Sequence, residues 1–174
     1  KSYKLDIVSK ELSKLKIMLS PREFALDVIS PIMSELGMAV DRGEYTVSHE
    51  HALSAILKFH SGHLLYRTGD QLEREYFKIV FCGIEQDYHE FGILMGSLLA
   101  LHYQFNLVYL GPNLPADSLI DSIKFLDPNL IVVGATAVVS NLRKNYIANY
   151  TEKVMEHLPA NCSLALGCPL DVQL

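Results

Sequence analysis

The chain has 174 residues, 49% of them hydrophobic, and a formal net charge of -5. This length suffices for one domain or two small ones with a sizeable core, and the acidic charge argues against nucleic-acid binding by this segment itself, which requires a basic face. No apolar stretch reaches the ~18–20 residues of a membrane helix, and nothing at the start resembles a signal peptide.

The ends and the cysteines set the expected context. The chain begins at Lys1 and stops at Leu174, directly after a predicted strand, so we expect further sequence at both ends. Cys82, Cys162 and Cys168 are odd in number and form no C-x-x-C pair. Cys82 lies in one apolar run and Cys162 beside another, which favours buried free thiols over disulfides and a reducing, cytoplasmic location.

Residues 1–69 are predicted to form a helical bundle. Ser20 precedes Pro21 and Glu23 in the order of an N-cap, a first helical residue and a capping box. Pro31 is expected to kink or divide the helix that follows. Apolar residues recur at three- and four-residue steps in three segments. These are Leu5, Val8, Leu12, Leu15 and Leu19; Phe24, Val28, Ile32 and Leu36; and Ala52, Ile56, Phe59 and Leu64.

The helix boundaries have their own signals. Either Gly37 or Gly43 is placed to end the second helix, and Thr46 is placed to cap the third. The polar, turn-forming run Arg67–Arg74 then predicts a linker between two halves.

Residues 75–174 are predicted to form a Rossmann-like, flavodoxin-like domain. Short apolar runs alternate with amphipathic segments, a pattern typical of a parallel sheet covered by helices on both faces. The predicted strands are Tyr76–Cys82, Asn106–Leu110, Leu130–Gly134 and Ser163–Leu166, and the predicted helices are Glu90–Tyr103, Ala116–Leu126 and Asn141–Leu158.

A candidate site lies just after the first predicted strand. His89 falls on a loop at the carboxyl end of that strand, where open α/β sheets bind ligands. A free imidazole there can bind a metal, and Asp87 can hold its other nitrogen. Gly92 leaves room for a bulky group against the backbone. On these residues alone, a solvated loop histidine remains the alternative.

The run Asp87-Tyr88-His89-Glu90-Phe91-Gly92 resembles the D-x-H-x-x-G motif of cobalamin-binding domains. In those domains the histidine replaces the dimethylbenzimidazole base as the lower ligand of cobalt. The resemblance therefore implies that His89 binds the cobalt of cobalamin and that Asp87 is its hydrogen-bond partner.

Two later signals of that family are altered in this chain. Gly134-Ala135-Thr136-Ala137-Val138 stands at the family's S-x-L, with Thr136 for serine and Val138 for leucine. Leu166-Gly167-Cys168 stands at a later pair of glycines, with Cys168 in place of one. The resemblance implies that Thr136, Val138 and Gly167 line the groove for the nucleotide tail, which Cys168 narrows. Thr136 is equally compatible with a cap for the next helix.

A second resemblance lies in the helical half. The run from Asp41 to Ser54, with Arg-Gly-Glu before Glu50-His51, is similar to the helical cap that precedes cobalamin-binding domains in regulators with a MerR-type DNA-binding head. The run Tyr109–Pro115 resembles a turn after the second strand of the same proteins. The resemblance implies that Glu50 and His51 approach cobalt from above while His89 binds it from below.

One departure concerns light sensing. Members of this family that sense light through adenosylcobalamin have Trp-His ten and nine residues before the glutamate, where this chain has Val40 and Asp41. The chain contains no tryptophan. Three alternatives are open: another cobalamin form, binding without the usual photochemistry, or loss of the cofactor.

Other histidines have weaker patterns. His49-Glu50-His51 is not the His-Glu-x-x-His of a zinc protease, whose ligands share a helical face at i and i+4. His60 and His63 do share a face, yet we expect them to line the bundle or its surface. No nucleophile–base pair, phosphate-binding loop or catalytic carboxylate pair is present, so we do not expect an enzyme.

The main hypothesis is a sensor region of a transcriptional regulator. Cobalamin, as adenosylcobalamin or another form, is predicted to lie between cap and α/β domain and to control a homo-oligomer. That assembly would control a DNA-binding head outside this chain, with no membrane partner. The alternatives are a corrinoid carrier subunit of a methyltransferase, a haem sensor of the same fold, and a cofactor-free interaction module.

Overall fold

A computed structural model describes residues 4–67, 77–136 and 141–168, with Arg67 and residues 141–144 described by their backbone alone. Most of the predicted linker, Tyr76 and Val138 lie outside the described residues. The helical elements are α1 (Leu5–Met18), α2 (Pro21–Glu23), a π-helical segment (Phe24–Ile29), α3 (Ser30–Asp41), α4 (Val47–Arg67), α5 (Phe91–His102), α6 (Ala116–Leu126) and α7 (Asn141–Met155). The strands are β1 (Lys78–Ile84), β2 (Asn106–Leu114), β3 (Leu130–Gly134) and β4 (Ser163–Gly167).

The second helical stretch runs from Pro21 to Asp41 and consists of α2, the π-helical segment and α3. The capping box at Ser20 is confirmed: its hydroxyl accepts from the Glu23 amide, and the Glu23 carboxylate accepts from the Ser20 amide. The predicted kink or division at Pro31 corresponds to a change of helix type, since the π-helical segment ends at Ile29 and α3 begins at Ser30. Pro31 lies in the first turn of α3, directly after the π-helical segment, where a residue without an amide proton is tolerated.

Gly43, not Gly37, marks the end of this stretch. Its backbone has φ +69°, a left-handed conformation that glycine adopts without strain. Thr46 precedes α4 as predicted, and its hydroxyl lies 2.7 Å from both Ser48 Oγ and His49 Nδ1. None of the helices formed by the described residues combines the length and the apolar character needed to cross a membrane.

The sheet confirms the predicted fold class. Its four strands are parallel in the order β2-β1-β3-β4, which is the flavodoxin-like order as far as it extends. β2 is longer than predicted, because the run after Leu110 stays paired with β1 through two shifts of register. Gly111, at φ +83°, accommodates this irregularity where the sequence predicted a turn.

Helix α5 lies between the helical bundle and the sheet. On one side Leu94, Leu98 and Leu101 share a buried cluster with residues of α1, the π-helical segment and α4. On the other, Ala100 packs with Ile79 and Phe81 of the sheet. The opposite face of the sheet is covered by α6 and α7. The bundle and the sheet thus share α5, and the division into domains 1–69 and 75–174 stays a prediction.

Candidate functional site

The loop that carries the histidine motif lies at the centre of one sheet edge. Residues 85–90 connect β1 to α5. β1 is flanked by β2 on one side and β3 on the other, so the loop emerges where the order of the strands reverses. Ligands of open α/β sheets bind at this point.

Asp87 is the buried anchor of the loop, with a residue exposure of only 2%. Its Oδ1 accepts from the His89 amide at 3.0 Å, and its Oδ2 accepts from the Thr136 amide at 2.7 Å and the Thr136 hydroxyl at 2.5 Å. Burial alone would raise the pKa of this carboxyl, but the hydrogen bonds from Thr136 and His89 outweigh it and lower the pKa to about 2. Asp87 is therefore a carboxylate at any physiological pH.

His89 lies above this anchor and faces outward, with its side chain 78% exposed. Its Nδ1 lies 2.9 Å from Asp87 Oδ1. Because a carboxylate only accepts, Nδ1 carries the proton, and the lone pair of the neutral ring is on Nε2. Within the described ranges, all hydrogen bonds of His89 involve its amide or Nδ1, so Nε2 is available to a ligand.

A cavity of about 390 Å³ opens beside His89. Four glycines contribute to its wall, and most of the other lining side chains are apolar. At Gly92 an added Cβ would meet nothing within 4 Å, whereas at Gly134 it would lie 2.4 Å from Ile93 Cγ2. The lining residues are Phe81, His89, Gly92, Ile93, Gly96, Val132, Gly134, Ala135, Thr136, Gly167 and Cys168.

The later motif residues fall partly on this cavity. Thr136 lines it, and its hydroxyl and amide both donate to Asp87, so Thr136 holds the anchor of His89. Gly167 and Cys168 lie on the same wall at the end of β4. Val138, the remaining predicted member, falls outside the described residues.

The cap residues lie elsewhere. Glu50 and His51 occupy the first turns of α4, with Glu50 half-buried and His51 exposed. Val40 lies half-buried near the end of α3. None of the three lines the cavity beside His89, so their approach to the upper face of a cofactor stays a prediction.

One contact at the site was not predicted from the sequence. Glu90, directly after His89, accepts from Lys58 Nζ at 2.7 Å and from the Tyr109 hydroxyl at 2.8 Å. Burial, and then the hydrogen bond to Glu90, raise the pKa of Tyr109 far above its usual value. These residues come from α4, the motif loop and β2. The sequence signal was slight, namely a glutamate inside the motif and a lysine on a long helix.

The other candidate residues are two histidines of α4 and the three cysteines. His60 is buried in the bundle, where its Nε2 lies 2.9 Å from Ser9 Oγ, while His63 is exposed one turn later. All three cysteines are free thiols. Burial raises the pKa of the Cys82 thiol to about 12, so it is unreactive at neutral pH.

Comparison with known proteins found a match to a family model over part of the chain and a similar curated protein. Residues 5–64 match the family model described as a B12 binding domain. Over 166 residues the chain is 25% identical to the HTH-type transcriptional repressor CarH of Myxococcus xanthus, covering 95% of this chain and 54% of that protein. The chain thus spans about half the length of the curated relative that it matches.

Solved structures show the same fold. The monomethylamine corrinoid protein of Methanosarcina barkeri superposes with a TM-score of 0.63 at 18% identity, covering 92% of this chain and 74% of that one. The methanol:cobalamin methyltransferase complex MtaBC of the same organism gives a TM-score of 0.50 at 16% identity, covering 88% of this chain and 57% of that one. The comparisons confirm that this chain resembles the cobalamin-binding sensor region of transcriptional regulators, and the solved structures show that its fold is similar to that of corrinoid proteins.

Proposed function

We propose that this chain is the cobalamin-binding regulatory region of a transcriptional regulator, with His89 as the lower ligand of cobalt. The observation that carries the proposal is the Asp87–His89 pair at the mouth of the glycine-lined cavity. A buried carboxylate that holds Nδ1 fixes the tautomer and makes Nε2 a better ligand. Exposure of the ring lets a group much larger than the cavity reach that nitrogen.

The residues present fit the cofactor. A cavity of about 390 Å³ is too small for a whole cobalamin and large enough for an apolar heterocycle of its nucleotide tail. Gly92 and Gly167 would let the tail approach the backbone, and Thr136 would lie beside it. When bound, cobalamin would supply a cobalt ion whose other ligand can be exchanged, with His89 as the residue that would hold the metal.

The chain's own contribution is to hold the imidazole of His89. Thr136 donates two hydrogen bonds to Asp87 Oδ2, which leaves Oδ1 to accept from the His89 amide and Nδ1. Backbone and ring of His89 are therefore held by the same carboxylate oxygen. This arrangement orients Nε2 before a ligand arrives and reduces the ordering required on binding.

We propose further that the cofactor lies between a helical cap, residues 1–69, and the α/β domain, residues 75–174, with Glu50, His51 and Val40 on its upper side. Cofactor state would then control the assembly of a homo-oligomer and, through it, a DNA-binding head. The similarity to a repressor of the HTH type supports this assignment. The physical requirement is that cobalamin binds one assembly state better than the other.

A corrinoid carrier subunit of a methyltransferase is the second candidate. It is favoured by the similarity in fold to the monomethylamine corrinoid protein, which superposes on most of this chain. Such a carrier would use the same His89 loop. The two candidates differ in the consequence of binding, which is a change of assembly for the regulator and acceptance of a methyl group for the carrier.

The test begins with absorption spectra of the purified chain, incubated in darkness with adenosylcobalamin or hydroxocobalamin and then desalted. We expect retained cofactor with a base-off, histidine-bound spectrum that His89→Ala abolishes. His157→Ala is the matched control, because His157 is also exposed and its Nδ1 lies 2.9 Å from the Lys153 carbonyl oxygen, away from the cavity.

The second half of the test separates the candidates. A change of elution volume in gel filtration on loading or illumination supports the regulator, whereas methylation of the bound corrinoid by a methyl donor and partner enzyme supports the carrier. If the chain retains neither adenosylcobalamin nor hydroxocobalamin, both candidates are overturned. A Soret band after incubation with haem would then identify a haem sensor, and its absence would leave a cofactor-free interaction module.

A further inference from the structure

The contact formed by Lys58, Glu90 and Tyr109 joins three separate elements. Glu90 Oε1 lies 2.7 Å from Lys58 Nζ on α4, and Glu90 Oε2 accepts from the Tyr109 hydroxyl of β2 at 2.8 Å. The Glu90 side chain is 16% exposed, and that of Lys58 is 41% exposed. A carboxylate this far from water is stable only when its oxygens have partners, and here each oxygen has one.

Glu90 is placed where a shift of His89 would also move it. The two residues share a peptide bond, and Glu90 is the residue that precedes α5. A residue at this position commonly caps its own helix, but the Glu90 side chain makes no such hydrogen bond. Its carboxylate instead reaches the bundle and the edge strand.

The loop around His89 is therefore held from two sides by two different carboxylates. Asp87 connects it to Thr136 at the end of β3. Glu90 connects it to Tyr109 on β2 and to Lys58 on α4. The first connection stays within the α/β half, while the second leads into the helical half.

The position of Lys58 on α4 gives the second connection its consequence. His51 and Lys58 are seven residues apart, so they lie on the same face of the helix about 10 Å apart along its axis. The Lys58–Glu90 ion pair therefore acts on the face of α4 that carries His51, while the buried leucines of α4 pack in the bundle.

We propose that the Lys58–Glu90–Tyr109 contact couples occupancy of His89 to the docking of α4. Ligand binding at His89 shifts the adjoining Glu90, and Glu90 passes that change to α4 through its ion pair. Lys58 is thus a positioning residue that acts through Glu90. This inference rests on the proposed cobalamin site, and it adds a route by which that site acts on the bundle. Coupling of this kind is reciprocal, so loosening α4 also weakens binding at His89.

The expected effect is modest. Partly exposed ion pairs contribute little to stability, so we expect Lys58→Met to weaken hydroxocobalamin binding by about two- to fivefold. Methionine keeps the apolar stem of lysine and removes only its charge. Lys153→Met is the control, because the Lys153 side chain is 47% exposed, close to that of Lys58, and forms an ion pair of 2.8 Å with the exposed Asp117 on the α6–α7 side.

The experiment measures hydrogen exchange of α4 amides in the whole chain, with and without bound hydroxocobalamin. In the parent protein and in Lys153→Met we expect loading to slow exchange in α4. In Lys58→Met we expect binding to persist and the slowing in α4 to be lost or reduced. A purely structural ion pair would change exchange in the free protein and leave the effect of loading intact.

Tyr109→Phe is a second variant that removes one hydroxyl and leaves the ion pair in place, so it tests the contact if Lys58→Met folds poorly. We expect Tyr109→Phe, like Lys58→Met, to reduce the slowing of hydrogen exchange that loading causes in α4. If either folded variant binds hydroxocobalamin and retains the full loading effect on α4, the coupling is wrong while the cobalamin site stands. If the parent chain binds no hydroxocobalamin, the site and the coupling fall together.

Discussion

The chain holds two exposed histidines in its predicted cofactor motifs, and their surroundings are unlike. His89 is held through its amide and Nδ1 by Asp87, whose other oxygen receives two hydrogen bonds from Thr136. His51 is exposed in the first turns of α4 and does not line the cavity. The difference teaches that neighbouring side chains hold the proposed ligand at the sheet edge, whereas the position of His51 depends on the placement of α4.

The largest effect on binding is expected from removing the charge that holds His89. Asp87→Asn keeps the shape of the side chain but weakens the hydrogen bond to Nδ1 and permits the other tautomer. Loss of such a partner reduces metal affinity by roughly 10–100-fold. The measurement is titration with hydroxocobalamin followed by absorption, with Asp121→Asn, an exposed carboxylate on α6, as control. Unchanged affinity in Asp87→Asn would show that the pair does not orient a ligand.

Two glycines of the cavity wall offer a matched pair for stability. A Cβ at Gly134 would lie 2.4 Å from Ile93 Cγ2, so Gly134→Ala forces Ile93 to move and is expected to lower the free energy of unfolding by about 1–3 kcal/mol. A Cβ at Gly92 meets nothing within 4 Å, and alanine there is a better helix former. Chemical denaturation of both variants checks the contrast, which equal losses would refute.

The same pair separates stability from binding. The methyl group of Gly92→Ala projects beside the cavity rather than into packed protein, so we expect Gly92→Ala to weaken cobalamin binding without lowering stability. Full affinity in that variant would place the cofactor tail away from this wall.

Local signals were the ones that sequence could reveal. The capping box joins Ser20 to a residue three positions later, and Asp87 reaches the amide and ring of a residue two positions later. Alternation of apolar runs and helices predicted the parallel sheet, because burial on both faces leaves that pattern in the sequence. Each of these depends on neighbours in the chain.

Contacts between distant segments could not be predicted in the same way. Thr136 lies 49 residues from Asp87, and the two meet only because β1 and β3 are paired in register. The partner of Glu90 on α4 likewise depends on how the bundle packs on α5. The sequence pattern identified Thr136 as a site residue through resemblance but not as the partner of Asp87.

A smaller effect is expected from pH, and it lies in the helical half. Burial, with lesser contributions from Lys16 and His63, lowers the pKa of His60 below its usual 6.5. As the pH falls below 6.5 the unfolded chain binds a proton before the folded one, so the stabilisation is complete above 6.5 and is lost toward lower pH. The loss cannot exceed about 1.4 kcal/mol per pH unit, the limit for one proton.

His60→Gln tests this effect, since glutamine does not titrate and can still pair with Ser9. Denaturation between pH 7 and 5 should show a flatter dependence in His60→Gln than in the parent chain. His157→Gln is the control, because His157 is exposed and lies after α7, away from His60. Identical pH profiles for all three proteins would place the titrating group elsewhere.

The smallest effects are expected from substitutions of Glu50 and His51 in the helical half. Glu50→Gln and His51→Ala change side chains that do not line the cavity, so each should weaken hydroxocobalamin binding by less than about fivefold, the range of exposed charge interactions. Spectra in titrations with adenosylcobalamin and hydroxocobalamin check whether the loss depends on the upper ligand. A loss as large as that of Asp87→Asn would mean that α4 approaches the cobalt directly, and the helical half would then be as much a part of the site as the sheet edge.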